Sequence, residues 1–178
     1  KEKFRLRGYG EIRDDSKVFL EIKKKYQGVV YKRRTQLPMT QARSYLESGV
    51  FTEEKSQILK EIDYFIRFYQ PQPRVYLAYD REAYVGNEDE SLRITIDRKI
   101  RSRSHRLELS YDGECQVLDP GGYLMEIKVP SAYPIWLAAL LGELQIYPMS
   151  FSKYGAVYAR FLQSETESEE ERICSQVY

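Results

Sequence analysis

Residues 18–34 read VFLEIKKKYQGVVYKRR, and the alternation in this stretch decides the fold. Side chains point to opposite faces along a strand. In residues 18–26, Glu21, Lys23 and Lys25 therefore take one face, and Val18, Leu20 and Ile22 take the other. Beyond a turn at Tyr26-Gln27-Gly28, a second strand puts Val30, Lys32 and Arg34 on one side and Tyr31 and Arg33 on the other. A single hairpin of this kind ordinarily turns its charged face to water. The remaining strands decide whether that holds here.

Upstream, FRLRGY (4–9) sets Arg5 and Arg7 against Phe4 and Leu6. Downstream, residues 74–84 place Arg81 on the face of Val75, Leu77 and Tyr79. Residues 92–99 oppose Arg93, Thr95, Asp97 and Lys99 to Leu92, Ile94, Ile96 and Arg98. In residues 123–129, Leu124, Glu126 and Lys128 oppose Met125, Ile127 and Val129. Shorter strands are expected at 107–109 and 116–118, around an Asp112-Gly113 turn. A helix at 40–47 stops at Gly49. A second runs from Thr52, as its N-cap, to Tyr69, with Glu53 and Glu54 in its first turn and an apolar stripe of Ile58, Leu59, Ile62, Phe65, Ile66 and Tyr69. An apolar helix follows proline at 134–144, and a last one spans 151–161.

Collected, the polar faces hold Arg5, Arg7, Lys23, Lys25, Lys32, Arg34, Arg81, Arg93 and Lys128 against Glu21, Asp97 and Glu126. Facing outward, they describe only a solvated sheet. The helices at 52–69 and 134–144, however, are available to cover the apolar faces, which turns the charged faces inward. If the sheet curls, the cations converge. Two like charges about 4 Å apart repel by roughly 4 kcal/mol at an effective dielectric near 20, so such a lumen stays wet or holds an anion. Phosphate suits Arg and Lys through charge-assisted, bidentate hydrogen bonds, and the three carboxylates could hold a divalent metal that bridges phosphates. Nucleic acid is not the expected polyanion, because the aromatics lie mostly on apolar sides, away from any base. Tyr26 and Tyr31 read as packing residues. Lys24, Arg33, Arg98, Arg101 and Arg103 fall off the polar faces and read as solvent cations.

The chain has 178 residues and 42% hydrophobic content, enough for one globular domain with a real core. Its net charge of +1 hides segregation, with acids gathered at 53–63 and in SETESEEE, 164–171. That acidic tail, 164–178, reads as solvated. No apolar run approaches the roughly 20 residues needed to cross a bilayer, and no signal-peptide pattern opens the chain. Cys115 and Cys174 lack metal-site spacing and read as free thiols of a reducing, cytoplasmic compartment. His105, alone among Ser and Arg, reads as a loop residue, so histidine-based catalysis is not expected.

In order and approximate spacing, FRLRGYG, VFLEIKKKY, VVYKRR, YDREAY, LRITID, YLMEIKVP and FSKYGAV resemble the polyphosphate polymerase domain of the vacuolar transporter chaperone (VTC) family, a group of triphosphate tunnel metalloenzymes of CYTH-like type. The resemblance covers residues 4–161. It implies an α+β fold: an antiparallel β tunnel barrel with a polar, basic lumen and helices packed outside, over residues 1–163. It also implies a further N-terminal strand and helices ahead of the RLR strand. By position, Arg5, Arg7, Lys23, Lys32, Arg34, Arg81 and Arg93 would contact nucleotide and polyphosphate, Glu126 would hold Mn²⁺ or Mg²⁺, and Lys153 would stand near the tunnel mouth. Ser150 occupies a place where the family commonly carries another lysine. The implied activity is transfer of the terminal phosphoryl of ATP to phosphate or a growing polyphosphate chain. Hydrolysis of a triphosphate in the same tunnel and non-catalytic polyphosphate binding are the alternatives. The implied partners are ATP, inorganic phosphate and polyphosphate, with a membrane-protein partner at the cytoplasmic face of a membrane.

Overall fold

The computed structural model describes residues 2–51, 56–111 and 113–162, with side chains to residue 160. The chain is α+β and forms two antiparallel sheets. It divides into two compact units, Lys1–Arg74 with Arg106–Gly113, and Val75–His105 with the described residues from Glu114 onward.

The first unit is built on a meander of β1 (Glu2–Arg7), β2 (Lys17–Tyr26) and β3 (Val29–Pro38), in that order across the sheet. The two-residue turn Gln27-Gly28 has φ of 45° and 82°. Positive φ at both central residues matches the right-handed twist of the flanking strands. The alternation read from the sequence holds: Val18 and Leu20 are fully buried, while Lys23 and Lys25 are exposed. Helix α1 (Met39–Ser48) ends at Gly49, whose left-handed backbone lets its N–H donate to the Tyr45 carbonyl. Helix α2 (Gln57–Tyr69) starts later than the sequence suggested. Its N-cap is Ser56, whose hydroxyl accepts from the Leu59 N–H, and residues 52–54 lie outside the described residues. Leu59 and Ile62 of α2 join Ala42 and Tyr45 of α1 over Val18, Leu20 and Leu37 to make the core. Residues 107–109 form no strand. The alternation there anchors one side chain, Leu109, against the same core.

Tyr45 is 2% exposed, stacks edge-on against Phe51 and donates its hydroxyl to Asp63 Oδ1 at 3.0 Å. Burial, followed by the Asp63 hydrogen bond and charge, pushes its ionisation well above the ordinary tyrosine value. Tyr45→Phe keeps the ring and removes only that bond, so denaturant unfolding should show a loss of about 1 kcal/mol.

In the second unit, β4 (Tyr76–Val85) pairs with β5 (Arg93–Arg103) along one edge. The other edge of β5 carries β7 (Tyr123–Lys128) along its first half and β6 (Gln116–Val117) near its end. Lys99 has φ of 50°, and the register shifts there, with Asp80 opposite Arg98 but Ala78 opposite Arg101. This bulge corrects the expected alternation: Lys99 leaves the face of Asp97 and Ile100 takes its place. Lys99 and Arg101 instead approach Asp80 on the reverse face. Ile100, Leu118 and Val157 then form a core with Val75, Leu77, Tyr79, Leu124 and Ala156. Helix α4 (Lys153–Val157) supplies Val157, and continues as a π-helical turn, Tyr158–Leu162.

Two further expectations are corrected. Arg103 is no solvent cation, being 5% exposed, set over the Tyr76 ring and donating to Cys115 Sγ at 3.3 Å. Helix α3 (Ile135–Glu143) buries only Leu137 and leaves Ile135 and Trp136 exposed, so it does not cover a sheet face as expected of residues 134–144. A helix apolar on every side carries no pattern that says which side is covered. Tyr26 and Tyr31, expected to pack, are likewise more than half exposed. Among the described residues no helix is long and apolar enough to cross a membrane.

Candidate functional site

The strand register assembles the polar face of the first unit rung by rung. Lys3, Lys23 and Lys32 lie directly across from one another, and the next rung is Arg5, Glu21 and Arg34. The third is Arg7, Phe19 and Gln36. Like charges directly opposite across strands destabilise a sheet, and the lysine rung therefore favours an anion above it. The single carboxylate of this face, Glu21, is 2% exposed. Its Oε2 accepts from Arg5 Nε at 2.5 Å, and Lys32 Nζ stands 3.3 Å from its Oε1, off the line of a good hydrogen bond. Arg34 lies over the Phe19 ring and Arg7 over that of Tyr9.

The second unit repeats the device. Arg81 lies directly across from Asp97, and the Asp97 carboxylate, 1% exposed, takes Arg81 Nε at 2.5 Å and Nη2 at 2.7 Å. From α4, Lys153 Nζ reaches Asp97 Oδ2 at 2.5 Å. Both cations also lie over the Tyr79 ring. Thr95 and Glu126 face each other on the next rung, and Arg93 and Lys128 on the one after. Burial raises the ionisation of both Glu21 and Asp97, but bonds and charge from their paired cations outweigh it, leaving both below the usual carboxylate range. The Asp97 bond in turn holds Arg81 firmly charged.

A model of the VTC domain matches residues 1–162. The chain belongs to the VTC domain family. No curated protein matches it. The VTC family is associated with polyphosphate synthesis in general, which ties this chain to polyphosphate chemistry.

Within this VTC domain, the expected phosphate contacts divide between the units. The first brings Arg5, Arg7, Lys23, Lys32 and Arg34 onto one face; the second brings Arg81, Arg93 and Lys153 to the face that carries Glu126. Sequence reading missed Lys3, although its parity with Arg5 and Arg7 carries the signal. It also missed Thr95 as a site residue and Tyr79 as the ring beneath two cations. The idea that three carboxylates share a metal is corrected, because Glu21 and Asp97 are each taken by two cations. Off the polar face, Lys24 pairs with Glu2 and Arg33 with Glu61.

Glu126 is the remaining carboxylate, half exposed and 3.3 Å from Lys128 Nζ. Among the described residues no three His, Cys, Asp or Glu side chains gather as a metal cage. Across the strand from Glu126, Thr95 Oγ1 is buried with no hydrogen-bond partner. One carboxylate directly across the strand pair from an unsatisfied hydroxyl offers the oxygen donors that a hard ion of the Mg²⁺ or Mn²⁺ kind prefers.

Proposed function

We propose that this VTC domain is a metal-dependent polyphosphate polymerase that transfers the terminal phosphoryl of ATP to a growing polyphosphate chain. The observation that carries the reading is the pair of cation-rich faces whose central carboxylates are already neutralised, leaving net positive charge for an external anion. A tunnel barrel enclosing these faces is part of the proposal and rests on the family resemblance.

In this reading a terminal oxygen of the acceptor chain attacks the γ-phosphorus of ATP. The bond from that phosphorus to the β–γ bridging oxygen breaks, and ADP leaves with the electron pair. The acceptor is already anionic, so no general base is required. Arg5, Arg7, Lys23, Lys32 and Arg34 on one sheet, and Arg81, Arg93 and Lys153 on the other, bind and orient phosphate oxygens whose negative charge spreads in the transition state. Glu126, with Thr95, would hold Mn²⁺ or Mg²⁺, which supplies charge screening and Lewis acidity at the transferred group.

The test incubates the full chain with ATP and Mn²⁺ and resolves the products by length. Long phosphate chains, degradable by an exopolyphosphatase, are the expected result. Orthophosphate with no chains replaces the polymerase with a hydrolase, and polyphosphate binding without turnover replaces it with a binding module.

A further inference from the structure

The two buried acids, Glu21 and Asp97, have no assigned part in phosphate binding, yet their surroundings match in detail. Each lies on the middle strand of a three-stranded antiparallel arrangement, β1-β2-β3 in one unit and β4-β5-β7 in the other. Each lies 16 residues after the arginine directly across from it. Each is contacted by the Nε of that arginine and by a lysine from a different element.

The side of the guanidinium that is used matters. Arg5 gives only Nε to Glu21, and among the described residues neither of its Nη groups has a hydrogen-bond partner. Its side chain is 53% exposed. Arg81 gives Nε and Nη2 to Asp97 and keeps Nη1. An arginine held by this edge has its χ angles set while its remaining N–H groups stay open, and a planar fork fixed in advance loses less freedom on meeting a phosphate. A carboxylate that merely stood in for an absent anion would have to withdraw when phosphate arrived. At 2% and 1% exposure on central strands, Glu21 and Asp97 have no room to do so.

We propose that Glu21 and Asp97 are positioning residues, each holding the Nε edge of the arginine across from it so that the open N–H groups and the adjacent lysine form a preset anion-binding fork. This rests on the phosphate-binding reading of the same faces.

The experiment measures binding of inorganic triphosphate to the full chain by calorimetry. Glu21→Gln keeps the shape and removes a negative charge, so bulk electrostatics alone would tighten binding. Positioning instead weakens it, by about tenfold. Because Glu21 acts through Arg5, Glu21→Gln should add nothing on an Arg5→Ala background, whereas general loosening of the fold would add in full. Arg5→Lys, which keeps the charge but not the fork, should also weaken binding about tenfold and keeps the test open if Glu21→Gln does not fold. Asp97→Asn with Arg81→Ala repeats the cycle in the second unit. Equal or tighter binding by Glu21→Gln, full additivity with Arg5→Ala, or unchanged binding by Arg5→Lys overturns positioning while leaving the phosphate reading intact. A wild-type chain that ignores triphosphate overturns both.

Discussion

Asp97→Ala should lower the stability of the protein by about 3 kcal/mol, near the lower end for breaking a buried ion pair. The lower end applies because the cations left behind keep some water, the side chains of Arg81 and Lys153 being 26% and 18% exposed. What remains after truncation is two positive charges over one tyrosine ring, with nothing between them. Removing one of them should relieve much of the strain, so Asp97→Ala/Lys153→Met is expected to be less destabilised than the two single effects added together. Acid provides a separate check. Asp97 titrates below its ordinary value in the folded protein, so its contribution is present above the unfolded value near 4 and is lost as pH falls through the folded one. The gap in stability between wild type and Asp97→Ala should therefore be constant from neutral pH to about 5 and narrow below about 4. A gap that stays constant into strong acid means the carboxylate is not the source of the loss.

The polar and apolar faces were legible in the sequence wherever a strand alternates without interruption. Residues 18–34 give the correct hairpin, turn and faces because burial on one side enforces a period of two. Residues 92–103 defeat the same reasoning at Lys99, where a bulge shifts the parity and exchanges a lysine for Ile100 on the buried side. Nothing local marks that position, since lysine has no preference for positive φ. The cations were legible as a set, but their pairing was not. That Glu21 would be enclosed by Arg5 and Lys32, and Asp97 by Arg81 and a lysine from a helix 56 positions later in the numbering, depends on register and docking, which a one-dimensional pattern does not encode. Arg103 shows the limit most plainly: an arginine past the end of the alternating run reads as a solvent cation, while a tyrosine face and a thiol make a buried place for it.

Glu126→Gln should reduce the affinity for Mn²⁺ in the presence of inorganic triphosphate on the order of 10²-fold, because it removes the one carboxylate of this face that no arginine claims. Electron paramagnetic resonance of free Mn²⁺ reads this directly and needs no turnover. Triphosphate binding without metal should be equal or slightly tighter, since the arginines and lysines proposed to bind phosphate stay in place and one negative charge is lost. Thr95→Val separates the same idea from a general disturbance of the sheet. Its hydroxyl is buried and unsatisfied, so replacing it with a methyl group of similar shape removes a desolvated oxygen and should leave the metal-free protein as stable or more so, by up to about 1 kcal/mol. If that oxygen is kept for the ion or its waters, the same substitution should weaken Mn²⁺ binding several-fold. Opposite signs in stability and metal affinity at one residue are hard to obtain from structural damage. Should Thr95→Val bind Mn²⁺ as wild type does, the hydroxyl has no part in the site; should Glu126→Gln do so, the metal is held elsewhere.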